Sequence, residues 1–410
     1  MRGAAWALLV AVGACAYQRP PLVLDEDAGG ADGTVDVPVD GPMACAVDAA
    51  CASGICADGV CASAASVSYV AVTGDDGGPC TLAAPCATVA RALTRQAELR
   101  QDPLRVVVEP GSHGPQRIAL GVDRAEVVGR TGGDRGPPRI RALDAVVATV
   151  DGGQLELRSL TVAVDAEDLA TAEPLPVLVR CDGGAARLTL RDVDLAGQAA
   201  TDDLVQLNGC AGVIDRSQLH DTGGFCVKVT GGAVAVRSAQ LRGCGDGGLQ
   251  TQGATEVAVT GTIVAGNGRP NGTFGGVGLD VAGPLVFTGN TVASNFSTSE
   301  SRRALNCTAS SRQAALPNNL VTEDVFKTTC RLTHSVVAGI AVIDTDPSNR
   351  VLGSIDAARY VDAPGGDFHI LPASPAVGAG VVQAGLDPGL DVDGTPRPQG
   401  PLDVGADELP

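Results

Sequence analysis

The sequence predicts an all-β fold, a solenoid of stacked coils that is typical of a parallel β-helix. Seven segments in which apolar and polar residues alternate follow one another at roughly 22 to 33 residues, apart from a longer last gap. Alternation with a period of two indicates strands with one buried face, and a repeat of this length indicates three-strand coils. Aromatic residues make up only 2% of the chain, and Gly occurs 54 times. A core of small aliphatic side chains with frequent turns suits such stacking.

The segments agree column by column when they are aligned on their turns. An apolar column is predicted to point inward: Leu157, Leu190, Ile214, Val236, Val259, Phe287 and Leu332. The next column is polar and is predicted to point outward: Arg158, Arg191, Asp215, Arg237, Thr260, Thr288 and Thr333. A later column is again apolar: Val162, Leu195, Leu219, Leu241, Val264, Val292 and Val337. A leucine-rich repeat, a propeller or an immunoglobulin-like sandwich would not produce this pattern.

The longer last gap predicts an insertion into one coil. Residues 308–329 form a polar stretch that contains Pro317-Asn318-Asn319, and Cys307 and Cys330 bracket it. We expect a disulfide between these two cysteines to close the insertion.

The first residues predict an export signal. A short basic start is followed by an apolar run over residues 4–12, which is too short to span a bilayer. The sequence Val-Gly-Ala-Cys at 12–15 resembles the lipobox of bacterial lipoproteins, in which the cysteine is lipidated and becomes the new N-terminus. The resemblance implies a lipoprotein signal peptide over residues 1–15 and stable membrane anchoring through Cys15. The alternative is an ordinary signal peptide cut near residues 14 to 16.

Two short segments follow the signal peptide. Residues 16–44 are rich in Asp, Gly and Pro without periodicity, which predicts a disordered tether. Residues 45–65 hold four cysteines: Cys45, Cys51, Cys56 and Cys61. So short a segment cannot bury a core, so we expect a Cys-rich module held by disulfides whose pairing the sequence leaves open. Zinc is the alternative, but the gaps are wider than the tight pairs of structural zinc sites.

The chain after residue 66 predicts a strand, a Gly/Asp loop and an amphipathic helix over residues 88–99. Cys80 and Cys86 are expected to close a small loop before the helix. This strand, loop and Pro-x-Ala-Thr-Val helix resemble the start of secreted right-handed parallel β-helix proteins. The resemblance implies that the helix caps the open end of the solenoid and covers its unpaired strand edges.

The C-terminal motifs are the most specific in the chain. They read DFHILPASPA at 367–376, DVDGTPR at 391–397 and DVGADE at 403–408. They resemble the C-terminal signature of bacterial right-handed parallel β-helix proteins, with Ile370 at a position that is usually Leu. The resemblance covers about residues 67–408, so it implies a right-handed parallel β-helix of the pectate-lyase-like fold over residues 66–370 and a capping tail over 371–410.

The cysteine count supports an oxidising compartment. Thirteen cysteines are present, and twelve remain once Cys15 is assigned to lipidation. Outside the cytosol such cysteines persist as disulfides. We expect Cys226 and Cys244 to join within one coil, and Cys181 and Cys210 to join two adjacent coils.

The sequence offers candidate catalytic residues but no convincing set. A formal net charge of -18 argues against nucleic acid as a partner. The family includes lyases that use Ca²⁺-binding acids with an Arg or Lys base, and the resemblance supplies these candidates: Lys228, Arg237, Asp215 and Asp280. Hydrolases of the fold need clustered acids, and the candidates are Asp202, Asp203 and Asp246, at predicted turns. Because aromatic platforms for sugars are also scarce, we assign no catalytic residue.

The remaining charged residues are expected to be structural. Arg158, Arg191 and Arg237 share a column and are predicted to form a solvated stripe. The Asp391-Val-Asp393-Gly394 segment lacks the later ligands of an EF-hand, so we expect a turn with Arg397 paired to Asp391 or Asp403, and Ca²⁺ there is a minor alternative. Four histidines complete the set, with His113 expected at a surface turn and the others isolated: His113, His220, His334 and His369. We therefore assign no metal site and no cofactor.

These inferences combine into one predicted function. We expect an exported bacterial lipoprotein on the outer membrane or cell surface, anchored through its lipid and monomeric. Its β-helix is predicted to act as a non-catalytic binding scaffold, with an extracellular glycan as the candidate ligand. The alternative is a polysaccharide lyase or glycoside hydrolase, which a groove lined by acids and an Arg or Lys would favour.

Overall fold

The computed structural model describes most of the chain from residue 44 onward. The described ranges are 44–131, 136–142, 147–165, 177–299, 304–308, 310–323, 328–338, 346–382 and 389–410. The predicted signal peptide, Cys15 and all but the last residue of the predicted tether lie outside these ranges. Within them, no helix has the length and apolar character that crossing a membrane requires.

Three parallel sheets of eight, nine and eleven strands form the solenoid, and a typical coil contributes one strand to each sheet. Sheet 1 contains Ile118–Leu120, Ala148–Val150, Val179–Asp182, Val205–Asn208, Phe225–Thr230, Gly247–Gln252, Val277–Leu279 and Leu305–Cys307. Sheet 2 contains Ser68–Val70, Leu104–Val108, Arg124–Gly129, Gln154–Arg158, Arg187–Arg191, Ala211–Asp215, Ala233–Arg237, Glu256–Thr260 and Leu285–Thr288. Sheet 3 contains Ser112–His113, Arg139–Ala142, Thr161–Val164, Asp194–Ala196, Gln218–His220, Gln240–Arg242, Ile263–Ala265, Thr291–Ala293, Leu320–Thr322, Val336–Ala338 and Arg350–Leu352.

The strand registers confirm the predicted columns. Leu157 pairs with Leu190, and the column continues in register through Ile214, Val236, Val259 and Phe287. These side chains are buried in one continuous core that also takes in Val162 and the apolar column of sheet 3. The predicted all-β parallel β-helix is therefore confirmed, and its core consists of stacked aliphatic side chains.

The predicted insertion is wrong, because residues 308–329 contain strands of the solenoid. Ala315–Pro317 pairs in parallel with Arg331–Thr333, which places Leu316 beside Leu332. Leu320–Thr322 joins sheet 3 between two of its strands. The gap is longer because it contains a further coil, with strands at Ala315–Pro317 and Leu320–Thr322 that were not predicted.

Two ladders of buried polar side chains run through the turns on either side of sheet 3. In the first, the side-chain amide of Asn267 donates to Asn295 Oδ1 at 3.1 Å, and that of Asn295 donates to Glu323 Oε1 at 2.9 Å. In the second, the amide of Asn290 donates to Asn319 Oδ1 at 3.2 Å. Each asparagine also satisfies buried backbone groups, which would otherwise destabilise the coils.

The N-terminal end is covered by a helix and by the Cys-rich module. The helix Val89–Glu98 buries its apolar face, and the side chain of Thr88 caps it by accepting from Arg91 N. The module contains the 3-10 helices Asp48–Ala50 and Ala64–Ser66 and the antiparallel pair Cys56–Ala57 and Val60–Cys61. The module packs Ile55 against the outer face of sheet 2.

The C-terminal cap, which we define as residues 353–382 and 389–410, covers part of sheet 3. It contains the 3-10 helix Ile355–Ala358 and the antiparallel pair Tyr360–Asp362 and Asp367–Ile370. Its apolar residues form a second core with outward side chains of sheet 3: Ile263, Ala265, Ala293, Leu320, Val336 and Ala338. The cap therefore seals a face of the solenoid that would otherwise expose apolar surface.

Every cysteine within the described ranges forms a disulfide. In the Cys-rich module, where the sequence left the pairing open, Cys45 joins Cys56 and Cys51 joins Cys61. The other bridges are Cys80–Cys86, Cys181–Cys210, Cys226–Cys244 and Cys307–Cys330. The zinc alternative for the module therefore has no free thiols to use.

Candidate functional site

A concave site lies between sheet 3 and the C-terminal cap. This cleft has a volume of about 710 Å³, which is within the usual range for ligand sites. One wall is the outer face of sheet 3, with Gln240, Arg242, Ile263 and Ala265. The other wall is the cap segment that includes Ile355, Asp356 and Phe368.

The cleft marks the point where the outer face of sheet 3 changes character. Gln240 pairs in register with Ile263, and Arg242 pairs with Ala265, so a polar surface meets an apolar one within one coil. The cap covers the apolar side and ends at the polar side. This produces an amphipathic cleft in which hydrogen-bonding groups lie beside apolar surface.

Phe296 is the aromatic residue most available to a ligand. Its exposed fraction is 49%, whereas the other described Phe and Tyr side chains are 9% exposed or less. Its backbone N–H donates to Asn267 O at 2.7 Å. A Cβ added to Gly268 or Gly275 would lie about 2 Å from Phe296 O, so only glycine permits this close packing. The ring is exposed on a backbone that is tightly held.

A charged cluster lies at one end of the cleft. His220 contacts Asp194 through Nε2 at 2.9 Å and Asp221 through Nδ1 at 2.7 Å. The hydrogen bond to Asp194 is the main cause that raises the pKa of His220, against the opposing effect of burial. The prediction that His220 is isolated is therefore wrong.

Two of the three carboxylates that line the cleft, Asp221 and Glu323, have structural partners. Asp221 contacts His220, and buried Glu323 accepts hydrogen bonds from the backbone and side-chain amides of Asn295. Asp356 is exposed on the opposite wall. This arrangement can orient a polar ligand through hydrogen bonds.

The catalytic candidates from the sequence divide between two sheets. On sheet 1, Lys228 Nζ lies 3.6 Å from Asp203 Oδ2, and Asp203 also accepts from Gln206 and from Phe225 N. Desolvation raises the pKa of the Asp202 carboxyl, and neighbouring Asp203 and Asp246 raise it further. Asp280 serves the adjacent turn, where it accepts from Gly253 N and Thr308 Oγ1.

The other candidates lie on the outer face of sheet 2. Asp215 and Arg237 are in register there, and Asp215 forms ion pairs with Arg191 and Arg216. The predicted solvated arginine stripe is only partly correct. Arg158, which is 12% exposed, forms ion pairs with Glu156 and with the module's Asp48.

Two further predictions need correction. His113 is buried, with Nε2 2.7 Å from Glu109 O, because its strand joins sheet 3 and does not form a surface turn. Arg397 pairs with Glu408 at 3.0 Å; its contact with Asp403 is a hydrogen bond to the backbone carbonyl.

The three stacked sheets and their caps define the chain as a right-handed parallel β-helix protein. The crystal structure of pectate lyase Pel9A matches over 84% of this chain and 96% of its own, with a TM-score of 0.53 and 12% sequence identity. Pectin methylesterase PemA from Erwinia chrysanthemi aligns over 72% of this chain and 95% of its own, with a TM-score of 0.39 and 13% identity. No protein-family model and no curated protein matches the sequence. The likeness to the lyase establishes the fold.

The cleft escaped the sequence analysis, although the sequence contains a signal for it. Outward positions of sheet 3 flank the apolar column, and they change from Gln240 and Arg242 to Ile263 and Ala265. An outward position that turns apolar indicates that another segment covers it. Phe296 and the cap are far apart in the sequence, so their proximity in the folded protein could not be predicted.

Proposed function

We propose that the protein binds an extracellular glycan in the cleft and does not catalyse its cleavage. The observation that carries this proposal is the exposed ring of Phe296 on a rigid backbone, beside the polar side chains Gln240 and Arg242. A sugar ring offers an apolar face for an aromatic ring and hydroxyl groups for amide and guanidinium donors. A site with both features on a preformed surface is suited to such a ligand.

The test is binding to a panel of acidic and neutral polysaccharides by calorimetry, with the Phe296→Ala variant as the probe. We expect Phe296→Ala to weaken binding about 5-fold or more, since truncating a central aromatic anchor typically costs at least about 1 kcal/mol. Leu82→Ala is the matched control, because Leu82 is also about half exposed, at 51%, but does not line the cleft. Equal affinity of both variants and the unmodified protein would contradict the proposal.

We further propose that the protein is exported, anchored through lipidated Cys15, and monomeric at the outer membrane or cell surface. The Val-Gly-Ala-Cys sequence at 12–15 supports the anchor, and the disulfide-rich described region supports an oxidising compartment. Mass spectrometry of the mature N-terminus tests the anchor, and an unmodified Cys15 in the mature chain would refute it. Sedimentation of the released domain tests the monomer.

Asp202 favours a second candidate function, a carbohydrate-active enzyme on sheet 1. Its raised pKa suits a general acid, and Lys228 lies beside the neighbouring Asp203. Polysaccharides incubated with the protein, with and without Ca²⁺, should then yield unsaturated products or reducing ends. Asp202→Asn should abolish the products, whereas Asp192→Asn, in the turn after the sheet 2 strand Arg187–Arg191, should not. The absence of products across the panel would exclude this candidate for those substrates.

A further inference from the structure

Three segments of the C-terminal cap bring a histidine and two carboxylates together. His369 lies in the strand Asp367–Ile370, Asp393 in the turn after Leu390, and Asp407 in the last described segment. One potential ligand atom from each of these three residues lies within 4.8 Å of the other two. His369 Nε2 is 3.3 Å from Asp393 Oδ1. The prediction that His369 is isolated is therefore wrong.

The imidazole is already oriented for ligation. Asp367 Oδ1 lies 2.6 Å from His369 Nδ1, so it fixes the ring and directs Nε2 toward Asp393 and Asp407. In metal sites, a ligating histidine commonly has its other ring nitrogen hydrogen-bonded to a carboxylate, which fixes the orientation of the ring. Asp391 Oδ1 accepts from the backbone N–H groups of Asp393 and Thr395, which holds the turn that carries Asp393.

Asp407 supplies an independent indication of a ligand. The residue is 5% exposed, and one carboxylate oxygen accepts from Ile370 N at 2.7 Å. Among the described residues no hydrogen bond to its other oxygen is found, and no Lys or Arg forms an ion pair with Asp367, Asp393 or Asp407. A buried carboxylate needs compensation by opposite charge or by coordination. Here the single imidazole of His369 faces the carboxylates of Asp367, Asp393 and Asp407.

We propose that His369, Asp393 and Asp407 bind a divalent transition-metal cation of the Zn²⁺ class. One imidazole nitrogen and two carboxylates form a three-ligand set suited to Zn²⁺, with water in the remaining position. Ca²⁺ and Mg²⁺ prefer all-oxygen sets, so the site differs from the calcium loop considered for residues 391–394. The cation links three segments of the cap that are distant in sequence, and its role is to hold the cap closed.

The test uses untagged protein that has been stripped with a chelator. Calorimetry with Zn²⁺ should give one saturable site per chain, and Co²⁺ should give visible absorption bands of a low-symmetry site. The melting temperature should rise with Zn²⁺ concentration, because the cation binds the folded cap. Asp393→Asn and His369→Gln should each weaken Zn²⁺ binding at least 10-fold and remove the effect on the melting temperature.

The choice of variants distinguishes the loss of a metal ligand from misfolding of the protein. The Asp393 side chain is 60% exposed, and its one described side-chain partner is His369, so Asp393→Asn should fold normally by circular dichroism. His220→Gln is the matched control, because His220 also lies between two aspartates. Within the described ranges, however, His220 belongs to no group of three potential metal ligands. His220→Gln should bind Zn²⁺ like the unmodified protein. The absence of saturable Zn²⁺ binding, binding that both cap variants retain, or binding of Ca²⁺ in preference to Zn²⁺ would overturn the proposal.

Discussion

The buried ion pair between Arg397 and Glu408 should be a main stabilising contact of the C-terminal cap. The two side chains are 2% and 0% exposed, and Arg397 Nε lies 3.0 Å from Glu408 Oε2. Arg397 also donates to the carbonyls of Gly405 and Asp403, and at 3.5 Å to Gly289 in the solenoid. We expect Arg397→Met to destabilise the cap strongly.

The magnitude follows from what the substitution leaves behind. Glu408 would keep its hydrogen bonds from Asp403 N and Gln399 N but would lose its charge partner in a dry environment. Removing one partner of a buried ion pair typically costs about 3–5 kcal/mol, and carbonyls left without donors add to this cost. The expected loss in free energy of unfolding is therefore about 4 kcal/mol.

The assay is urea unfolding followed by circular dichroism and by limited proteolysis of the cap. Arg269→Met is the control, since Arg269 and its partner Asp246 are 54% and 52% exposed and such a pair is typically worth less than about 1 kcal/mol. Arg397→Met combined with Glu408→Gln should be less damaging than the sum of the single substitutions, because no unpaired charge remains. An Arg397→Met effect no larger than the control effect would refute the reasoning.

Three further predictions concern the solenoid. The pKa of His220 is raised in the folded protein, so its contribution to stability is complete below pH 6.5, the ordinary pKa of histidine, and is lost as pH rises through the folded pKa. Unfolding measured from pH 6 to 8 should show this loss, and His220→Gln should lack it. Replacing the Cys181–Cys210 bridge by alanines should lower the free energy of unfolding by about 1.4 kcal/mol more than replacing the Cys80–Cys86 bridge, since the closed loops span 29 and 6 residues. Equal losses in chemical denaturation would contradict this chain-entropy argument. Asn319→Ala should lower the free energy of unfolding by about 3 kcal/mol, because it deprives buried backbone groups and Asn290 of hydrogen-bond partners. A loss below about 1 kcal/mol in the same assay would show that water replaces the side chain of Asn319 in the ladder.

The repeat was predictable because a single geometric rule governs it. Each coil places its residues in register with the next, so inward positions such as Leu157 and Leu190 must remain apolar. The rule holds even for three-residue strands such as Gln218–His220. It failed near Leu316, where the strand Ala315–Pro317 ends in a proline and is followed by Asn318-Asn319, which are residues typical of a loop.

The covers of the solenoid were harder to predict, because their contacts join residues that are far apart in sequence. Val107 and Val128 are apolar at outward positions of sheet 2, and the Cys-rich module packs over them. Leu320 and Val336 are outward positions of sheet 3 beneath the C-terminal cap. A sequence alone indicates that such positions are covered but does not say by which segment. The candidate site forms where the C-terminal cap ends on sheet 3, so its position could not be predicted without knowing which segment covers that sheet.

The position of the C-terminal cap has a consequence during biosynthesis. Translation proceeds from the N-terminus, so the coils that contain Ile263, Leu320 and Val336 emerge before residues 389–410 have been made. Until then the nascent solenoid presents an apolar strip to its surroundings, which is a surface that chaperones bind and that promotes aggregation. A chain that stopped before residue 353 would leave this strip uncovered, whereas one that stopped before residue 389 would lack only the part of the cover that Val392, Val404 and Ala406 supply.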